Sequence, residues 1–344
     1  MKCSSASLAL PVCSAALALI CASAASALPS RSSHAALRHG TLGAITEYAI
    51  PTASAGPLGI VAGPDGALWF AEQTASQIGR VTTTGSFSEY ATPTSNASPG
   101  AVTATVDPNY PIWFTESAAG NLGLVNVGGF ITELRVRKPA GAQPFGIVPG
   151  PAGEQAIWFT DFQSGNAIGR VNNQGHERAF ALPQSGEQPA TIVDGPDGAL
   201  WFTEQKSGKI GRISIAGKIR EYAIPHGARS EPFGIAAGAD GALWFALAGS
   251  NRIGRIDTAG KISTYPVPTA KSAPSWIALG PDSALWFTEA AGNNVGRIDP
   301  STGAVTEYPI PTAGSCPAGI AAGPDGAMWF TENCTDKVGR VSLS

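Results

Sequence analysis

Six acidic residues recur at one fixed place in this chain, three positions after a tryptophan: Glu72, Glu116, Asp161, Glu204, Glu289 and Glu332, with Leu247 where a seventh would stand. Carboxylates set out this way could hold a divalent cation or serve as acid and base. A residue written once per repeat is more simply structural, and these read first as hydrogen-bonded ends of strands. They are not obligate partners of the repeated arginines. The second repeat keeps Glu116 but has Leu124 in place of arginine, and the fifth keeps Arg255 without an acid. Glu289 and Glu332 are retained as candidate metal ligands. No residue is assigned a catalytic role outright; the candidates are His226, Ser275 and Glu332. Ser275 has no histidine beside it in its motif, which a serine nucleophile would need.

These positions belong to a repeat. The pair Trp69-Phe70 returns as Trp113-Phe114, Trp158-Phe159, Trp201-Phe202, Trp244-Phe245, Trp286-Phe287 and Trp329-Phe330, at spacings of 42 to 45 residues. That period is one four-stranded propeller blade. In the first unit Gly59–Ala62 is a short apolar inner strand, Pro64-Asp65-Gly66 a turn and Ala67–Glu72 the second strand. Ile78–Val81 is the third strand, and Phe87–Thr92 the outer strand that ends at Pro93, a residue an edge strand tolerates. The outer-strand phrase Ile45–Pro51 precedes the first unit, while the last unit stops after its third strand. The fold expected is therefore all-β: a single seven-bladed β-propeller over 43–344, closed by strand exchange between the N- and C-terminal segments.

An inner strand running from top to bottom places the loops after the second strands, and the links between blades, together on the top face. Each inner strand begins Pro-x-Gly-Ile or nearly so, and the x residues form a ring around the axis: Leu58, Gly100, Phe145, Ala190, Phe233, Ser275 and Ala318. The ring is apolar. Leu58, Phe145, Phe233, Ser275, Trp276 and Ala318 are the expected ligand-binding residues, and the expected ligand is a small molecule or a cyclic peptide.

With 14% charged residues and a formal net charge of −3, the chain has no basic patch for nucleic acid. Residues 1–27 read as a signal peptide: Lys2, an apolar run from Leu8 to Ile20, then small residues before Leu28-Pro29. The run is short and broken by Pro11, so no membrane association is expected once it is cleaved. Residues 28–42 read as a flexible leader. The mature protein is expected to be monomeric and secreted or periplasmic. It would keep two cysteines, Cys316 and Cys334, which the topology brings together in the last blade. A disulfide there would contribute on the order of 3 kcal/mol.

The phrases GPDGALWFTE, IGRI and Pro-x-Gly-Ile, repeated around the ring, resemble the virginiamycin B (streptogramin B) lyase family over essentially all of 43–342. The resemblance implies a seven-bladed propeller that opens a cyclic depsipeptide antibiotic by Mg²⁺-assisted elimination. The family pattern has histidines at x of the last two blades, a carboxylate just before the last of them, and another in the top loop after the last Trp-Phe. This chain has Ser275 and Ala318 at those x positions, Cys316 at the first carboxylate position and Asn333 near the second. The reading that follows is a secreted, lyase-like propeller that binds a small or cyclic peptide-like ligand, has lost the family's lyase residues and needs no cofactor. The alternative is a Mg²⁺-dependent streptogramin B lyase or lactone-cleaving enzyme, using Glu289 and Glu332 with His226 or Ser275.

Overall fold

A computed structural model describes residues 42–107, 109–151, 154–162, 166–225 and 227–343, and these form seven four-stranded antiparallel sheets. The first blade has its inner strand at Pro57–Ala62, second at Ala67–Glu72, third at Gln77–Thr82 and outer at Phe87–Ala91. The turn between the first two closes with Gly63 N–H on the Ala67 carbonyl at 2.8 Å, and Gly66 takes the positive φ of 74° that the turn requires. The last blade is assembled from both ends of the chain. Ile45–Ala49 pairs antiparallel with Lys337–Val341, with Glu47 opposite Gly339. The segment expected to be a signal peptide, and the expected leader up to residue 41, fall outside the described residues, as does His226. Among the described residues no helix is long and apolar enough to cross a membrane.

Alternation along the second strand supplies both blade-to-blade interfaces. Trp69 and Ala71 pack on Ile112 and Phe114 of the next blade, while Leu68 and Phe70 pack on Trp329 of the preceding one. Trp69 and Phe70 are completely buried, as are their counterparts Trp329 and Phe330. Losing such a ring costs about 3–5 kcal/mol. The glycine of the third strand is required by the same packing, since a Cβ on Gly79 would lie 2.2 Å from Cζ of Phe70.

The repeated arginines pair with acids of the bottom turns, aspartates in most blades and Glu154, the partner of Arg170, in the third. Arg80 Nε donates to Asp65 at 2.7 Å, and Trp69 Nε1–H donates to the same carboxylate at 3.1 Å. Burial alone would raise the Asp65 carboxyl, but Arg80, the Trp69 indole and the Ala67 amide outweigh it and hold it below the usual aspartate range. The second blade, where Leu124 replaces arginine, also has Asn109 in place of this aspartate.

The two sets of top loops are stitched together. Gln73 N–H donates to the Gly56 carbonyl at 3.1 Å in the first blade, and Asn333 N–H to the Cys316 carbonyl at 3.3 Å in the last. Cys316 and Cys334 form the expected disulfide, with Cα atoms 5.4 Å apart.

Candidate ligand-binding funnel

The x residues owe their position to a break in register. In the first blade the pairing shifts between Pro57 and Ile60, and the inner strands of the other six blades shift at the equivalent place. The x residue is thus freed from the ladder at the top of the axis. A threonine two positions after the tryptophan then fixes the next blade. Thr115, Thr160, Thr203, Thr288 and Thr331 each donate through Oγ1 to the x carbonyl of the following blade, at 2.6–2.9 Å. Adjacent inner strands meet backbone to backbone, for a Cβ on Gly59 would be 2.8 Å from the Gly100 carbonyl. The funnel wall is rigid by construction.

Three of the expected binding residues come together. Phe145 and Phe233 meet edge to face with ring centroids 5.6 Å apart, Phe233 meets Trp276 at 5.7 Å, and Phe145 lies 6.4 Å from Trp276. Blade 4, between the two phenylalanines, carries only Ala190, which is fully buried. All three aromatic side chains remain half-buried at the mouth of the funnel. Deeper on the axis is a 140 Å³ cavity lined by one aliphatic residue from each inner strand, Ile60 to Ile320, and by Trp276, which reaches down from the mouth into it. Leu58 and Ser275 are half-buried on the same ring, and Ala318 is 7% exposed.

The repeated acids lie elsewhere. Glu72, Glu116, Asp161, Glu204, Glu289 and Glu332 are all 0% exposed, beneath the rim. Burial pushes Glu332 up to about 7, helped by the neighbouring charge of Glu47; Glu289 rises to about 7 for the same reason beside Glu307. Glu72, against Glu89, reaches about 8. Each pair faces across the third-strand glycine that makes room for it, as Glu72 does over Gly79. The outer-strand partner also receives the chain entering its blade: Glu89 accepts from Thr52 N–H at 3.1 Å, and Glu47 from Thr312 N–H at 3.1 Å.

A seat for Mg²⁺ needs several carboxylate or water oxygens in octahedral array. Glu289 accepts from Asn294 at 3.3 Å and Glu332 from Thr335 at 3.2 Å, both under the surface. The rim above them offers Ser275 and Asn333, and the Asn333 amide nitrogen donates to the Pro57 carbonyl at 3.1 Å. Cys316 is held in its disulfide. This donor set does not fit the ion. A denser cluster, Glu187, Glu204 and Glu221, could hold a cation by its spacing. Lys209 already supplies one there, donating to Glu187 at 2.6 Å and Glu221 at 2.7 Å.

Two rim residues carry no mark in the Pro-x-Gly-Ile phrase. Phe162, directly after Asp161, packs against Phe145 with ring centroids 5.2 Å apart. Glu231, just before the fifth inner-strand proline, is exposed, with a left-handed φ of 46°. Reading the residues before the proline and after the strand-end acid in each repeat would have found both. At the former position Glu231 is the one carboxylate among Gly56, Ser98, Gln143, Gln188, Glu231, Ala273 and Cys316.

The chain matches the virginiamycin B lyase family model over residues 5–155 and 142–344. A virginiamycin B lyase of Nocardia farcinica is 30% identical over 189 residues, which is 53% of this chain and 60% of that protein, less than two thirds of its length. A solved streptogramin B lyase superposes with a TM-score of 0.82 at 37% identity, over 88% of this chain and 98% of the other. A catalytically inactive histidine-to-alanine variant of the Staphylococcus aureus virginiamycin B lyase, solved with quinupristin, gives 0.81 at 38% identity, over 88% and 99%. With seven blades closed by terminal strand exchange and the family model matched along nearly its whole length, this chain belongs to the virginiamycin B lyase family.

Proposed function

We propose that this protein takes a cyclic, peptide-like ligand of the streptogramin B kind into its top-face funnel and acts on it there. The observation that carries this reading is the half-buried cluster of Phe145, Phe233 and Trp276 at the mouth of the axis. Such a wall suits the apolar face of a macrocycle, with the rim left to read its amide groups. Solved relatives that match over 98–99% of their length are lyases, and this favours ring opening over mere holding.

An elimination needs a base to take a proton and a group to steady the charge on the departing oxygen. With Ser275 and Ala318 at the ring positions where the family pattern has histidine, any base must come from elsewhere: His226 is the candidate, since Ser275 offers only a hydroxyl with no histidine beside it in its motif and Glu332 is buried with its carboxyl pushed up to about 7. The same substitutions, with Cys316 committed to a disulfide, favour a second reading in which the funnel holds the ligand without opening it. Export to an oxidising compartment accords with that disulfide.

Incubating the purified protein with quinupristin and separating the products by mass distinguishes the two. Elimination leaves an opened ring of unchanged mass, hydrolysis adds one water, and binding alone leaves the antibiotic intact. Loss of the histidines should slow ring opening by roughly 10²–10⁴-fold against a histidine-bearing relative. Ser275→His with Ala318→His should recover part of it.

A further inference from the structure

Beside the aromatic cluster the top face opens into a cleft of 270 Å³ shared by blades 1, 2 and 3. Its wall is the Phe145–Phe162 pair, with ring centroids 5.2 Å apart and planes tilted by 33°. The rest of the lining is Gln73, Ser98, Ser117, Ala118 and Gln143. The cleft exists because blade 2 is small at every rim position: Gly100 is the one glycine in the x ring, and Ser98, Ser117 and Ala118 surround it. A Cβ at Gly100 would lie 3.7 Å from the Phe145 ring, in the space that a larger x residue would fill.

The chemistry of the lining is specific. Among the described residues no charged side chain lines the cleft. Ser117 is occupied, its hydroxyl donating to the Pro144 carbonyl at 2.6 Å. The side-chain amides of Gln73 and Gln143, by contrast, make no hydrogen bond to protein among the described residues, so each offers both a donor and an acceptor. Two tilted rings and two free amides in one cleft suit a flat, uncharged aromatic group that carries hydrogen-bonding atoms. The volume falls short of the 300–1,000 Å³ typical of a site for a whole drug-sized ligand. It suits one ring of a larger molecule.

The geometry points to this cleft as a docking subsite for a single neutral aromatic ring, flanked by amide groups, belonging to the macrocycle that the funnel receives; in this it rests on the funnel reading above. The cleft anchors one corner of the ligand on blades 1–3, with Ser275 of blade 6 across the axis and the blade of Ala318 next to blade 1. Ring-closed depsipeptides that lack an aromatic appendage would lose this anchor.

The test uses two probes on the full protein: benzamide as the isolated aromatic amide, and quinupristin. Ligand-observed saturation-transfer NMR should show benzamide bound, displaced by quinupristin, and lost in Phe162→Ala and in Ala118→Trp, which fills the cleft from an exposed loop position. Quinupristin affinity should fall about tenfold in each variant, the scale of one aromatic contact. If quinupristin binds while benzamide does not, or if neither variant changes benzamide binding, the subsite is refuted and the funnel reading stands. Benzamide binding that responds to both variants, with no quinupristin binding, keeps the cleft as a site and refutes the macrocycle. Simultaneous binding of both probes also overturns the proposal.

Discussion

Glu332, at the end of the last second strand, faces Glu47 of the first strand of the chain, the two carboxyl groups meeting beside Gly339 where the ring is closed. The pair occurs again as Glu72 with Glu89, Glu116 with Glu133, Glu204 with Glu221 and Glu289 with Glu307. One member of each pair is buried, and burial beside the other carboxyl raises it to about 7 to 8.

A pH dependence follows. The buried members have folded-state values of about 7 to 8, above the ordinary glutamate value of 4.5, so the folded protein binds more protons than the unfolded chain between these limits. Their contribution to stability is fully present below about 4.5 and is lost as pH rises through 7 to 8. Asp65, Asp240 and Asp325 are depressed and act oppositely, losing their contribution as pH falls through the acidic range below 3.8. The melting temperature should therefore peak in mildly acidic buffer and decline from pH 6 to 9. Glu72→Gln should flatten the decline. A melting temperature that climbs over that interval would contradict the assignment.

Ring closure gives the second expectation. Removing residues 43–51 strips the outer strand from the last blade and exposes the edge Lys337–Val341. The truncated protein should aggregate or fail to fold, as size-exclusion chromatography and thermal melting would report. A monomer with unchanged melting would speak against closure by this strand.

The disulfide gives the third. Cys316 and Cys334 are separated by 18 residues, and their link should stabilise the protein by about 3 kcal/mol. Reductant should lower the denaturation midpoint accordingly, and intact-mass analysis after alkylation should find neither cysteine modified. Two alkylated cysteines would remove the staple.

Much of this architecture is legible in the sequence because a repeat states it seven times: the Trp-Phe pairs mark the second strands, and the displaced phrase Ile45–Pro51 marks the closure. The cysteine pairing is legible for the same reason, since topology alone brings both top loops of one blade together. Burial of the repeated acids is harder to read. Alternation assigns Glu72 to a face but says nothing of its depth or of Glu89 across Gly79. The pairing of Arg80 with Asp65 was readable from the joint loss of both partners in blade 2, at Leu124 and Asn109. That Phe145 and Phe233 meet across blade 4, or that Phe162 completes a cleft, depends on distances across blades that no single repeat contains.

Magnesium is the fourth expectation. The last two blades offer Ser275 and Asn333 at the rim, with Glu289 and Glu332 buried below, so neither Mg²⁺ nor EDTA should move the melting temperature of the free protein. A saturable rise with Mg²⁺ that disappears in Glu289→Gln or Glu332→Gln would instead assign those carboxylates to a metal.

The claim on which the functional account rests is that the aromatic funnel receives a cyclic depsipeptide, and calorimetric titration of quinupristin into the purified protein tests it most directly. One-site, saturable binding is expected, weakened about tenfold by Phe145→Ala and again by Trp276→Ala, with the fold of both variants intact. No heat of binding, or an affinity that neither substitution changes, would contradict it.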